Sequence, residues 1–181
     1  MKTLVIHPND RSTDFLKSIY CKLKNVTLII ENTSRDVLHE LISSHDQIIM
    51  LGHGSPSGLF NVAGIGTGTF TISHFEVSLL RSKQCIFIWC HASDFVHHYN
   101  LKGLSSGMFI SEVSEAQYYN VSGNQAQVNE SNNVFAEALG NALAVTSDYH
   151  QVLKQVTHEY KHIVLENKIA QYNLERWQLI D

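Results

Sequence analysis

The stretch QIIMLGHGSPSGLF, residues 47–60, decides the fold: an apolar-rich run, Gln47–Leu51, meets a histidine bracketed by Gly52 and Gly54. A short, nearly continuous apolar run followed at once by turn residues reads as a strand buried on both faces, the habit of parallel sheets. Working outward, Thr3–Ile6, Val26–Ile30, Gln84–Trp89 and Gly107–Val113 have the same character, rich in β-branched or aromatic residues. Helix-like segments alternate with them at about Thr13–Leu23, Ser34–Ser43, Ser73–Ser82 and Ala92–Leu101. Thr13, Ser34 and Ser73 stand where N-caps belong, and Glu76 follows Ser73 at capping-box spacing. Such alternation predicts right-handed βαβ units and a mainly parallel sheet in a three-layer α/β/α sandwich. The glycine-spaced segment Gly58–Thr71 breaks the rhythm and suggests a small hairpin inserted after the third strand. After the fifth strand the pattern turns helical, about Ser131–Leu143 and Ser147–Asn167, with apolar spacing suited to packing on the sheet.

The chain has 181 residues, enough for one domain with a sizeable core, and one domain over 1–181 is the expectation. Hydrophobic content of 44% and charged content of 17% are those of a globular protein rather than a disordered one. A net charge of −4 gives no reason to expect nucleic acid or an anionic membrane as partner. No apolar run reaches the ~18–20 residues of a spanning helix, and the apolar start around Leu4–Ile6 is too short for a signal-peptide core. Three dispersed cysteines argue against a disulfide framework, so reduced thiols and a cytoplasmic setting are expected.

In open α/β sheets ligands bind beyond the carboxyl ends of the strands. His53 lies just past the third strand, and Cys90 just past the fourth in QCIFIWCHASDF, residues 84–95. Neighbouring strands are about 4.8 Å apart, so on adjacent strands a thiol and an imidazole can face one cleft. That pairing suits nucleophilic thiol catalysis, with histidine handling the proton. The backbone N–H groups of Gly54 and Cys90 are candidates for an oxyanion hole. Cys85, inside the fourth strand, and Cys21, in the first helix, read instead as small buried hydrophobes.

The blocks LGHGSPSGLF and IFIWCHAS resemble the His-Gly and Cys blocks of caspase-like cysteine peptidases, the clan of caspases, metacaspases, clostripain, gingipains, separase and CHAT-type proteases. The resemblance spans roughly Thr3–Leu143 in element order, with specificity confined to the two blocks. It implies a caspase–haemoglobinase type fold and peptide-bond hydrolysis through a thioester, with Cys90 as nucleophile, His53 as general acid/base and a peptide or protein as partner. It also implies that the loop after strand one and the fifth-strand segment SGMFISEVSEAQYY build the specificity pocket. Those regions supply Asp10, Glu112 and Glu115 against Arg11, which predicts a preference for cleavage after Lys or Arg.

Other readings stay open. A catalytically silent caspase-like interaction module is suggested by the bulky Trp89 before Cys90 and by the small size of the chain. A chelatase-like metal-handling protein shares an HGS histidine motif, though after the first strand rather than the third. Eleven histidines include His97 and His98 near His91, but no spacing repeats a zinc ligand set, so no metal and no cofactor is expected. GIGTGTF, residues 64–70, lacks a following Lys-Ser/Thr and opens no helix, which argues against a phosphate-cradling loop.

Overall fold

The structure, a computed structural model, describes residues 1–64 and 67–181. Its frame is a six-stranded sheet in which only the last strand runs antiparallel. In chain order the strands of this sheet are β1 (Thr3–Ile6), β2 (Val26–Ile29), β3 (Gln47–Leu51), β7 (Gln84–Ile88), β8 (Gly103–Ser106) and β9 (Trp177–Ile180). They are arranged β2-β1-β3-β7-β8-β9. A second sheet, β4 (Gly54–Ser55), β5 (Gly58–Phe60) and β6 (Phe70–Ile72), is the expected insertion after β3, enlarged to three short strands. Part of the glycine-rich segment in that insertion, residues 65 and 66, lies outside the described residues.

The central strands are where the sequence places them because both their faces are covered. Residues alternate along each strand, and the two sets join separate cores. Val5, Ile49, Leu51, Ile86 and Ile88 pack with the long helices α6 (Gln125–Val145) and α7 (Tyr149–Val164). Leu4, Ile6, Ile48, Met50, Phe87 and Trp89 pack with α2 (Arg35–Ser44), α3 (Val77–Leu80) and α4 (Ala92–His98). Helices on both faces of a mostly parallel sheet make an α/β architecture compatible with a three-layer sandwich. Among the described residues, no helix is long and apolar enough to cross a membrane.

The fifth strand is displaced from its expected position. It spans Gly103–Ser106 rather than Gly107–Val113, and Ser106 rather than an apolar run ties it to β7. The Ser106 hydroxyl donates to Trp89 O at 3.0 Å across the sheet, and Gly103 (φ +144°) admits Cys85 O where a Cβ would sit at 2.1 Å. The apolar Met108–Ile110 is instead a buried loop, leading into the short helix α5 (Val113–Tyr118). Asn173, on α8 (Lys168–Leu174), grips that loop with both ends of its amide: Ile110 N donates to Oδ1 at 2.8 Å, and Nδ2 donates to Ile110 O at 2.9 Å.

The first helical segment also differs. It is a 3-10 stretch, Arg11–Leu16, that continues into α1 (Lys17–Tyr20), and its N-cap is Asp10 rather than Thr13. Thr13 is buried within it. Cys21 caps the end of α1 and is exposed, not a core residue, whereas Cys85 is buried as expected. Ser34 caps α2 through Val37 N. Glu76 accepts from both Ser73 N and Ser73 Oγ, so the capping contact exists although the regular helix begins only at Val77.

Candidate active site

Strands β3 and β7 are neighbours with Leu51 paired to Ile88. Gly52 N donates to Ile88 O at 3.0 Å, carrying the pairing past the strand ends. His53 and Cys90 each lie two residues beyond the last pair, and both line one small cavity of ≈ 20 Å³ with Gly52, Phe15, Phe109 and Ser111. The connection after β1 crosses to β2 on one side, while that after β3 leads toward β7 on the other. The site therefore opens at the topological switch point of the sheet, where α/β proteins bind ligands.

The glycine bracket has two physical causes. Gly52 adopts φ +138°, a conformation that L side chains rarely take. At Gly54 an added Cβ would lie 2.2 Å from Trp89 Cδ1. The indole fills that space, and its Nε1–H donates to Ser55 O at 3.0 Å, pinning the turn after His53 to the end of β7. Trp89 is thus buried structural support for the turn. Across the turn, His91 takes a left-handed conformation (φ +64°) and its N–H donates to Gly107 O at 3.1 Å. This abrupt passage from β7 into α4 leaves Cys90 at the mouth of the strand.

His53 is held by a chain of hydrogen bonds that the sequence motifs did not reveal. Its Nε2 lies 2.6 Å from Ser12 Oγ, and Ser12 Oγ donates to Asp10 Oδ1 at 2.6 Å. A hydroxyl has one proton to give. With that proton on Asp10, Ser12 accepts from Nε2–H, so neutral His53 carries its free lone pair on Nδ1. The Ser12 hydroxyl bonded to Asp10 in turn holds that carboxyl below its usual pKa. Asp10 and Ser12 act as orienters of the imidazole. An Asp-x-Ser turn, in which Ser12 N also donates to Asp10 Oδ1 at 2.8 Å, was the available sequence signal.

This loop is anchored from below. Buried His7 meets Thr13 Oγ at 3.1 Å through Nε2 and Tyr20 Oη at 3.1 Å through Nδ1. Thr13 Oγ donates to Asp10 O at 3.0 Å, so His7 Nε2–H donates to Thr13 and Nδ1 accepts from Tyr20. Burial pulls the His7 pKa down to about 4, which keeps the ring neutral at pH 7.

Cys90 is half-buried and its thiol makes long contacts to Phe109 O at 3.8 Å and to Glu115 Oε1 at 3.9 Å. Burial, followed by the Glu115 carboxylate, pushes the thiol up to about 12. In this arrangement the sulfur is a protonated thiol. Thiolate character therefore requires the proton to be withdrawn as a substrate seats.

The structure does not gather the three carboxylates expected to recognise a cation. Asp10 is committed to Ser12. Glu115 accepts from Ser111 N at 2.7 Å, Ser111 Oγ at 3.1 Å and Glu112 N at 3.1 Å, closing the first turn of α5. Only Glu112 borders the larger pocket beside the cleft, where Arg11 accompanies it. Of the two positions expected to form an oxyanion hole, Cys90 lines the cavity, while Gly54 lies in β4 and is not among the lining residues. Among the described residues, no group of three or more His, Cys, Asp or Glu converges as a metal ligand set. No protein-family model, curated protein or solved structure matches the chain.

Proposed function

We propose that the protein is a cysteine endopeptidase of caspase-like type, with Cys90 as nucleophile and His53 as general acid/base. The observation that carries this reading is the shared cavity of the two side chains at the ends of adjacent parallel strands. It is the arrangement implied by the resemblance, a histidine after the third core strand and a cysteine after the fourth. The caspase–haemoglobinase fold type belongs to the same proposal, supported by the mostly parallel sheet and by the element order around the site.

The chemistry follows from the groups present. The Cys90 thiol gives its proton to the free nitrogen of His53, and the sulfur attacks the scissile carbonyl carbon. Negative charge develops on the carbonyl oxygen, where N–H groups of Gly54 and Cys90 can stabilise it. Collapse of that adduct breaks the C–N bond, and His53 returns the proton to the leaving amine. Water, deprotonated by the same imidazole, then adds to the thioester, releases the acid and restores the thiol. Asp10 and Ser12 keep the imidazole in the tautomer that this sequence needs.

A second reading, an interaction module without turnover, is favoured by one observation: the contacts of the thiol are to Phe109 O and to Glu115, whose carboxylate disfavours a thiolate. Turnover of a mixed fluorogenic peptide library separates the two. The peptidase reading expects hydrolysis that Cys90→Ala and His53→Ala each abolish. Absence of hydrolysis by the wild-type protein, or full activity in Cys90→Ala, overturns it.

A further inference from the structure

The six-stranded sheet ends on two edges, β2 and β9, and they differ. No residue of β9 is exposed: Trp177 is buried and the other three are half-buried. At β2, by contrast, Leu28 is 44% exposed, and Ile30, one residue past the strand, is 41% exposed. An edge strand leaves a row of N–H and C=O groups free to pair, and proteins commonly blunt it with an inserted charge or proline. Val26–Ile30 contains neither.

Which backbone groups are free follows from the register. β2 pairs in parallel with β1, and Thr3 N and His7 N donate to Asn25 O and Ile29 O. The odd-numbered residues therefore aim their backbone at β1. Alternate residues of a strand aim theirs the other way, so the N–H and C=O of Val26 and Leu28 face outward. Among the described residues no strand pairs with that edge. Side chains alternate too. Ile29 joins the core with Leu38 and Ile42 of α2, which leaves Val26, Leu28 and Ile30 as an apolar row on the opposite face.

The occupant follows from the chain's own sequence, Lys24-Asn25-Val26-Thr27-Leu28-Ile29-Ile30-Glu31, in which both terminal charges are exposed. A strand with a cation at one end and an anion at the other complements an antiparallel copy of itself. With Leu28 on a two-fold axis, Leu28 N–H of each copy donates to Leu28 O of the other. Val26 then lies opposite Ile30 of the second copy, and Thr27 opposite its Ile29. At each end Lys24 falls within one residue of the other copy's Glu31. A register shift of two residues would set Lys24 or Asn32 against the apolar row, so that row fixes the alignment.

We infer that β2 is a homodimer interface, where two copies of this chain join edge to edge, antiparallel about Leu28, into one continuous sheet. The contact is isologous, so it closes at two copies instead of growing into a fibre. It does not depend on the peptidase reading of Cys90 and His53.

The test is sedimentation equilibrium of the full chain over a concentration series, with hydrogen exchange read at individual amides. The wild-type mass should rise to twice that of one chain, and the amides of Val26 and Leu28 should gain protection as it does. Leu28→Lys sets two ammonium groups at the axis and should hold the protein monomeric; as a surface substitution it should leave the fold intact. Lys24→Glu removes two exposed ion pairs and should weaken the dimer by roughly 2- to 30-fold. Adding Glu31→Lys to it should restore association. A wild type that stays monomeric up to about 1 mM overturns the inference. So does a dimer that survives Leu28→Lys, a charge swap that fails to restore association, or protection gained elsewhere than at Val26 and Leu28. Growth beyond two copies, the result of a β2-to-β9 contact, overturns it as well. Should Leu28→Lys fail to fold, the wild-type exchange pattern decides alone.

Discussion

Acid should weaken this fold through His7, and the size of the effect follows from its surroundings. The ring is 2% exposed and bonded on both nitrogens, to Thr13 and Tyr20. Its pKa falls from 6.5 to about 4, burial being the largest cause and Lys17 the next. The folded pKa is depressed, so between pH 6.5 and 4 the unfolded chain binds a proton that the native protein refuses. His7 therefore adds no penalty above pH 6.5, and stability is lost as pH falls through that window. At 1.36 kcal/mol per pH unit, the depression corresponds to about 3 kcal/mol. The assay is urea unfolding of wild type and His7→Gln at pH 4, 5.5 and 7. Glutamine does not titrate, so the other ten histidines cancel in the difference between the two proteins. The gap between them should narrow by about 3 kcal/mol from pH 7 to pH 4, however much the substitution costs at pH 7. A gap that stays constant with pH would refute a neutral, buried His7. Because His7 anchors the turn that carries Asp10 and Ser12, activity should fail in acid before the protein unfolds.

Further outcomes follow from single contacts. Ser12→Ala removes the bridge between Asp10 and His53 and should lower kcat by about tenfold to hundredfold with little change in KM, a general acid/base effect. An unchanged kcat would show that Ser12 does not orient the ring. Gly54→Ala drives a methyl group into Trp89 and should cost about 2 kcal/mol or more in chemical unfolding. A neutral effect would mean that the indole does not hold the turn. Glu115→Gln removes the carboxylate beside Cys90 and should shift the pH profile of its alkylation to lower pH. An unmoved profile would show that the carboxylate does not raise the thiol.

Much of this arrangement was legible because its signals are local. β1 and β3 begin and end where their apolar runs do, since burial on both faces leaves no polar alternation to blur the ends. His53 and Cys90 stood out because each interrupts such a run at its carboxyl end. Other parts depend on partners distant in sequence. β8 depends on Gly103 and Ser106, whose fitness for a strand shows only against Cys85 O, Phe87 O and Trp89 O. Met108–Ile110 looks like a strand and is a loop because Asn173, 63 residues beyond Ile110, satisfies its backbone. β9 follows a long helical region and pairs antiparallel with β8, a register visible only once the sheet exists. In the sequence Asp10 and Glu115 have the character of specificity-pocket carboxylates, but hydrogen bonds within their own turns occupy them. Ser12 went unnoticed because a serine in a turn carries no chemistry until His53 arrives beside it.

The central claim is that Cys90 and His53 form one catalytic unit, and a mechanism-based label tests it most directly. A peptidyl acyloxymethyl ketone reacts with a thiolate at a substrate-occupied site, and mass spectrometry of the digested protein locates the adduct. The account predicts modification of Cys90 in the wild-type protein and its loss in His53→Ala. Labelling at exposed Cys21 or at Ser12 in place of Cys90, or Cys90 labelling that persists undiminished without His53, would contradict it.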